Sequence, residues 1–280
     1  MKLKLALLAP SPRAVGKKEL EGVTRLALRN AQMVKDEDTE VVPCFPERGV
    51  ITPEEHCYRY LVYRSETEMY EAAIQIERDG YDAVMIFCFH EPAILQMRQA
   101  LNIPVVGVAS NSMLFATTMG GKFSIVTLAP IAAPLDMEIV ERCGLKGKLA
   151  SIRSVATPLD QQVEALVDAR EAIEEFQRVG RECIADGAEV LLCGCMLMSV
   201  ALASAPGCEK DFPNGLREVD GVPIVDNVSV MVKAAESMVA LKRAGIPWIS
   251  RKCTFAKASR EVEDRARAAL PYEGSAYFTL

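Results

Sequence analysis

The sequence predicts an α/β protein in which mostly parallel β-strands are covered by helices. Short apolar runs alternate with longer helical patterns over almost the whole chain. A second observation is a repeated order of helix, Asp-Gly, strand and cysteine. Asp79–Gly80 precedes the strand that leads to Cys88, and Asp186–Gly187 precedes the strand that leads to Cys195. The alternation favours a parallel sheet with helical crossovers, and the repeat indicates an internal duplication.

Several apolar runs have the length expected of buried strands. Because they lack polar alternation, they fit strands that are covered on both faces. In chain order they are Leu3–Leu8, Thr39–Cys44, Ala83–Phe87, Val105–Val108, Phe123–Thr127, Leu149–Val155, Glu189–Leu192 and Pro223–Val225.

The segments between these strands have apolar residues at helical spacing. We expect Pro92 to be the first residue of its helix, because the missing N–H of proline does no harm there. The alternating charges of Ser259–Arg267 indicate the solvated face of a further helix. The helical segments are Lys17–Lys35, Ser65–Asp79, Pro92–Leu101, Met113–Met119, Leu135–Cys143, Gln161–Asp186 and Ser229–Ala244.

Two connecting segments, Phe45–Arg64 and Pro206–Gly221, are long for an α/β chain. Both emerge at the end of the sheet where doubly wound folds bind their ligands. Segments of this length are either lids over a site or disordered. His56, in the first of them, is interpreted as an ordinary loop residue.

Composition and charge exclude several classes of partner. The chain has 280 residues and a formal net charge of −6 without a block of like charges, so nucleic acid and anionic membranes are poor partners.

The uncharged stretches Leu101–Gly121 and Val190–Cys208 are interrupted by turn residues, which predicts no transmembrane helix. Leu3–Leu8 is too short for an export signal and fits a first strand better. Nine cysteines without zinc-type spacing predict reduced thiols in a cytoplasmic protein and no metal site.

The repeated cysteines, Cys88 and Cys195, point to acid/base chemistry. Two facing thiols can remove a proton from one face of a carbon and return one to the other face. Ordinary buried cysteines are the alternative, because free Cys is among the most buried residue types. We expect a helix N-terminus at each cysteine to favour the thiolate. The amides of Phe89 and Met196 are expected to stabilise an enolate oxygen, and Gly194 to let the backbone approach a ligand.

Other residues near the strand ends are further candidates, and two alternatives stay open for His90 and for Asp226–Asn227. His90 tunes the first cysteine or acts as a separate acid or base, or it caps the next helix. Asp226–Asn227 reach the mouth of the cleft or cap the following helix. Ser11 is a candidate hydrogen-bond donor to the substrate, and Cys193 is interpreted as a small buried hydrophobe.

The order and spacing of several short motifs carry a family resemblance. The motifs are Cys88–Pro92, Pro104–Gly107, Gly121–Thr127, Asp186–Val190 with Gly194–Cys195, and Pro223–Asp226. Together they resemble the Asp/Glu/hydantoin racemase superfamily, in its hydantoin and allantoin racemase branch.

The resemblance implies two similar α/β domains related by pseudo-twofold symmetry, with the site in the cleft between them. Residues 1–110 and 221–280 would form the first domain and residues 111–220 the second. Cys88 and Cys195 would be the two bases of a racemase that needs no cofactor. Thr127 would contact the substrate.

The chain departs from the family at three places. Pro10–Arg13 stands where an Asn-Pro-Asn-Ser/Thr-type loop is usual, and Arg13 is expected to favour a substrate with a carboxylate. His90–Glu91 replaces Gly-Asp after the first cysteine. Met196–Leu197 replaces Ala-Gly after the second, which makes that wall bulkier and more apolar.

The sequence thus predicts a cofactor-independent racemase or epimerase of a small hydantoin-like or amino-acid-derived substrate, in the form of a homo-oligomer. One alternative is a Cys-dependent cis-trans isomerase, decarboxylase or hydrolase of the same superfamily that acts on a small carboxylate or ureide. A ligand-binding protein without catalysis is the other.

Overall fold

Two β-sheets organise the part of the chain that the computed structural model describes, residues 2–272 and 276–280. The strands are β1 (Leu3–Leu8), β2 (Thr39–Pro46), β3 (Ala83–Ile86), β4 (Val105–Gly107), β5 (Phe123–Thr127), β6 (Leu149–Ser154), β7 (Val190–Cys193), β8 (Glu218–Val219), β9 (Val222–Pro223) and β10 (Tyr277–Thr279). The larger sheet has the order β10-β2-β1-β3-β4, and its pairs are parallel except for β10 on β2. The smaller sheet, β6-β5-β7, is parallel throughout.

Helices cover these sheets, which confirms the predicted α/β class. They are α1 (Lys17–Gln32), α2 (Arg59–Arg78), α3 (Ile94–Ala100), α4 (Val108–Met119), α5 (Ala133–Arg142), α6 (Arg170–Ala185), α7 (Met196–Ser204), α8 (Asn227–Arg243) and α9 (Arg260–Ala269). The crossover α1 shows why they fold: it buries Leu20, Val23 and Ala27, which share one face at helical spacing. Among residues 2–272 and 276–280, none of the helices is long and apolar enough to cross a membrane.

The largest cluster of buried side chains joins the two sheets. It includes Leu5 of β1 and Phe123 of β5, together with Val228 and Met231 of α8. α8 packs against α4 and against the larger sheet at β3 and β4. The C-terminal part of the chain therefore returns to the sheet built by the first part, while the domain boundaries at residues 110 and 221 stay a prediction.

The predicted helix start at Pro92 is wrong. α3 begins at Ile94, because Glu91 and Ala93 both adopt left-handed backbone angles, with φ of 50° and 55°. Pro92 consequently lies inside a turn and not in the first turn of the helix.

The predicted strand Pro223–Val225 is also different in the structure. Asp220 and Gly221 have φ of 47° and 82°, which makes a tight hairpin turn between β8 and β9. The segment's link to the smaller sheet is an isolated parallel bridge between Ile224 and Leu191, and Val225 N donates to the Leu191 carbonyl at 2.9 Å. Asp226 then caps α8, since its carboxylate accepts a hydrogen bond from Ser229 N at 3.0 Å.

A buried carboxylate fixes the turn between β3 and α3. Glu91 is 2% exposed, and its Oε1 accepts hydrogen bonds from the N–H and the hydroxyl of Ser110, both at 2.7 Å. Its Oε2 pairs with Arg142 of α5. Two left-handed residues other than glycine cost about 1–2 kcal/mol each, and hydrogen bonds to a charged group contribute about 1.5–3 kcal/mol each. The anchored carboxylate is therefore sufficient to hold the strained turn.

We predict that Gly107→Ala destabilises the protein. A Cβ atom at Gly107 would lie 2.2 Å from Glu91 Oε1 and 2.5 Å from Ile94 Cδ1, so the anchor or α3 must shift. We expect the free energy of unfolding to fall by about 1–3 kcal/mol in urea denaturation. Gly147→Ala is the control, because its Cβ would meet no atom within 4 Å. Equal stability of the two variants would contradict the prediction.

Candidate active site

The carboxyl ends of strands from both sheets open on one cavity of about 640 Å³. Its wall is formed by residues 9–11 after β1, 87–90 after β3, Leu128 after β5 and 194–197 after β7, with further residues from α1 and from the segments 51–56 and 163–167. Ligands of α/β sheets bind at this end of the strands, and a cavity of this size holds a small molecule.

Most of the predicted site residues line this cavity. They are Ser11, Cys88, Phe89, His90, Gly194, Cys195 and Met196. Thr127 lies behind the wall instead: it is fully buried, and its hydroxyl has no hydrogen-bond partner in the part of the chain that the structure describes. Because the next residue, Leu128, forms the wall there, the substrate contact of Thr127 stays a prediction.

Cys195 lies where the sequence places it, between the end of β7 and the first residue of α7. Burial raises the pKa of this thiol, and the backbone N–H groups of Met198 and Leu197 act in the opposite direction. An N-cap side chain faces the second and third amides of its helix. This is why Leu197 and Met198 supply the amides that act on the thiol, while the expected contact of the Met196 amide with an enolate oxygen stays a prediction.

Cys88 differs from the expectation of a helix N-terminus. It lies in the turn that Glu91 anchors, six residues before the first residue of α3, Ile94. Burial raises the pKa of its thiol to about 12, and the backbone N–H of His90 acts against this shift. The strained turn therefore brings a backbone N–H, that of His90, to the Cys88 thiol, although no helix begins there. The expected contact of the Phe89 amide with an enolate oxygen stays a prediction.

The two thiols influence each other electrostatically, since a negative charge on Cys195 raises the pKa of Cys88 further. The amides at the start of α7 favour the Cys195 thiolate as expected, whereas Cys88 lies at no helix start, and burial raises the pKa of both thiols overall. Desolvation in the cavity outweighs the amides, so both groups are thiols in the free site at neutral pH.

Gly194 is needed for the packing of two strands as well as lining the cavity wall. A Cβ atom there would lie 3.0 Å from Ile125 Cγ2 and 3.1 Å from the Cα of Thr127, on the neighbouring strand β5. The backbone N–H of Gly194 also donates to the carbonyl of Val126 at 2.8 Å. Close approach of β7 to β5 thus requires a glycine here.

Arg13 is not available to a substrate carboxylate, which corrects the expectation for this residue. Its guanidinium donates two hydrogen bonds to Glu47, both at 2.8 Å, and lies over the ring of Phe278. It is absent from the cavity wall. Of the two long segments, only 45–64 contributes to the wall, through Ile51, Pro53 and His56.

Asp136, which lies on α5 beside His90, was not predicted from the sequence as part of the site. Asp136 is fully buried, and its Oδ1 is 3.3 Å from His90 Nε2. The sequence pattern does indicate that Asp136 is buried, because Asp136 shares the apolar face of α5 with Ile139 and Val140. A buried carboxylate needs a partner, and His90, which does not cap α3, is the side chain that lies beside it.

His56 and Cys57 were also missed as part of the site. His56 lines the cavity, where burial and the nearby His90 lower its pKa to about 4, so the ring is neutral. Cys57 is buried in a cluster with Leu128 against which Cys195 packs, and burial raises its pKa to about 11. Their chain neighbours gave no sign of this position, because it depends on how the 45–64 segment folds over the strand ends.

Comparison with known proteins identifies the family. The sequence model described as Asp/Glu/Hydantoin racemase matches residues 18–235. The hydantoin racemase of Pseudomonas sp. (strain NS671) is 28% identical over 240 residues, which cover 85% of this chain and 87% of that protein. The hydantoin racemase of Paenarthrobacter aurescens is 30% identical over 161 residues, 57% of this chain and 62% of that protein.

Solved structures share the fold. The allantoin racemase from Klebsiella pneumoniae superposes with a TM-score of 0.73 at 23% identity, covering 92% of this chain and 95% of that one. A glutamate racemase from Bacillus anthracis gives a TM-score of 0.53 at 16% identity, covering 98% and 96%. Since the family model spans well over half of the sequence, the chain belongs to the Asp/Glu/hydantoin racemase family and is an isomerase of the racemase type.

Proposed function

We propose that the chain is a cofactor-independent racemase of small 5-substituted hydantoins, with Cys88 and Cys195 as its acid/base pair. One observation carries this proposal: the two thiols follow strands of different sheets, β3 and β7, and yet line the same cavity. A ligand between them would be within reach of both.

The chemistry needs one thiolate and one thiol. The C5–H bond of a hydantoin lies next to a carbonyl, so a thiolate can take the proton while the electron pair moves onto the carbonyl oxygen as an enolate. The opposite thiol then donates its proton to the other face of C5 and becomes the thiolate. The two cysteines exchange roles, and the reverse reaction uses the same groups.

Cys195 is the better candidate for the first thiolate. Two amides, those of Met198 and Leu197, oppose the effect of burial on its pKa, whereas one amide does so at Cys88. Amide donors of this kind also stabilise an enolate oxygen.

The cavity wall favours a neutral substrate with an apolar substituent. At the strand ends 9–11, 87–90, 128 and 194–197, all of them described, the wall contains no Asp, Glu, Lys or Arg. Its charged residues, Lys18, Glu19, Glu21 and Arg25, lie on α1. Phe89, Met196 and Leu197 supply apolar surface beside the thiols. A hydantoin ring is uncharged and offers N–H and C=O groups, and the two relatives reported above are named hydantoin racemases.

We predict that Cys88→Ser and Cys195→Ser each lower the rate of racemisation at least about 1000-fold, for both enantiomers, because a serine hydroxyl is a far weaker acid than a thiol. The loss is measured by polarimetry at pH 7.5 after subtraction of spontaneous racemisation. In D2O, the wild-type product enantiomer should carry deuterium at C5. Cys253→Ser, at an exposed cysteine, is the control. Racemisation retained in either active-site variant would overturn the proposal.

We predict that activity rises with pH between 7 and 9. The pKa values of both thiols are raised above the ordinary value, so the thiolate fraction grows by up to tenfold per pH unit throughout this range.

Iodoacetamide should alkylate Cys195 faster than Cys88, because two amides favour the Cys195 thiolate. The order is read by peptide mass spectrometry, with the exposed Cys253 as an internal control for the reagent. An activity plateau that begins below pH 7 would contradict this ionisation scheme.

We predict that kcat/KM is about 10–100-fold higher for 5-isobutylhydantoin than for 5-methylhydantoin. Burying the larger side chain against the apolar wall contributes about 1.5–3 kcal/mol, and each 1.4 kcal/mol is a factor of about ten. Allantoin and free leucine serve as the polar and the charged comparison. Faster turnover of either of them would contradict the assigned substrate class.

A further inference from the structure

We propose that Asp136 is a positioning residue that holds the His90 ring with Nε2 toward itself and Nδ1 toward the substrate. The pairing itself can be tested without any activity, whereas its catalytic consequence rests on the proposed racemase reaction.

The first argument is the isolation of the Asp136 carboxylate. Asp136 is 0% exposed, and neither of its oxygens receives a hydrogen bond from the described residues. An unpaired buried carboxylate costs several kcal/mol, so a compensating group is required. Arg142, the cation on the same helix, is occupied by Glu91, and Arg59 pairs with Glu138.

His90 is the group that faces this carboxylate. Its Nε2 is shielded from solvent and lies 3.3 Å from Asp136 Oδ1, a contact that lacks the alignment of a hydrogen bond. Catalytic hydrogen bonds are often loose in the free enzyme and tighten when a ligand binds. The pair is therefore close enough to form an Nε2–H···O bond after a small rotation of the ring.

The second ring nitrogen has a different environment. The His90 side chain is 10% exposed and lines the cavity, two residues after Cys88 in the anchored turn. Because Nε2 is directed at Asp136, Nδ1 is the nitrogen left for a ligand. With the ring proton on Nε2, Nδ1 accepts a hydrogen bond from an N–H of the hydantoin, so the orientation of the ring determines how the substrate is placed over Cys88.

The pairing can be read from the histidine NMR signals, since His56 and His90 are the two histidines of the sequence. The sample is the ¹⁵N-histidine-labelled Cys88→Ser/Cys195→Ser protein without ligand, and His56→Gln assigns the signals. We expect the proton of His90 on Nε2, and we expect Asp136→Asn to move the His90 nitrogen signals while leaving those of His56 in place. Unchanged His90 signals in Asp136→Asn would overturn the pairing.

The catalytic consequence is tested with His90→Gln, Asp136→Asn and the double variant. The Gln amide can reach the Nε2 position and satisfy Asp136, but it leaves the Nδ1 position empty. We expect His90→Gln to keep the melting temperature and to lower kcat about 10–100-fold, as losses of positioning groups do. Asp136→Asn should lower kcat by a similar factor, and the double variant no further, because the two residues act as one unit.

Glu138→Gln is the matched control, since this carboxylate lies two residues further on α5 and pairs at the surface. Its kcat should equal that of the wild type. Full activity in His90→Gln, or multiplicative losses in the double variant, would show that the pair only stabilises the fold and would overturn the proposal. Wild-type protein that fails to racemise hydantoins would instead refute the proposed function, and the NMR result would still decide the pairing.

Discussion

The burial of the Glu91 carboxylate is the constraint on which the site depends. Its hydrogen bonds to Ser110 and its pair with Arg142 hold a turn that contains two left-handed residues, and this turn carries Cys88 and His90. Arg142 belongs to α5, the same helix that brings Asp136 to His90. The buried Glu91 carboxylate thus fixes the turn that carries both the Cys88 thiol and the His90 imidazole, and it ties this turn to α5.

Desolvation has two opposite effects in this cavity. The apolar wall that suits a hydantoin substituent is also the environment that raises the pKa values of Cys88 and Cys195. The backbone amides at each cysteine reduce this penalty without adding a charged side chain that would attract water. Such an arrangement keeps the thiols protonated and less reactive toward oxidants and electrophiles when no substrate is bound.

The features that could be predicted from the sequence are local ones. Apolar runs located the main strands, and the strand-to-helix change at Cys195 located its N-cap. The turn after Cys88 could not be predicted, because the left-handed angles of Glu91 and Ala93 depend on partners far along the chain. The role of Asp136 could not be predicted for the same reason, because its partner His90 is also far along the chain. A polar residue on a buried helix face signals a partner, but only the packed structure shows which one.

The last strand, β10, has a consequence for how copies of this chain can associate. It pairs antiparallel with β2, and the ring of Phe278 stacks on that of Phe45 at 5.4 Å. Without β10, the outer side of β2 would present a row of unpaired N–H and C=O groups, which is a template for adding strands from other molecules. β10 occupies this edge at Cys44–Pro46, so a strand from another copy cannot pair with that stretch of β2 unless it displaces β10.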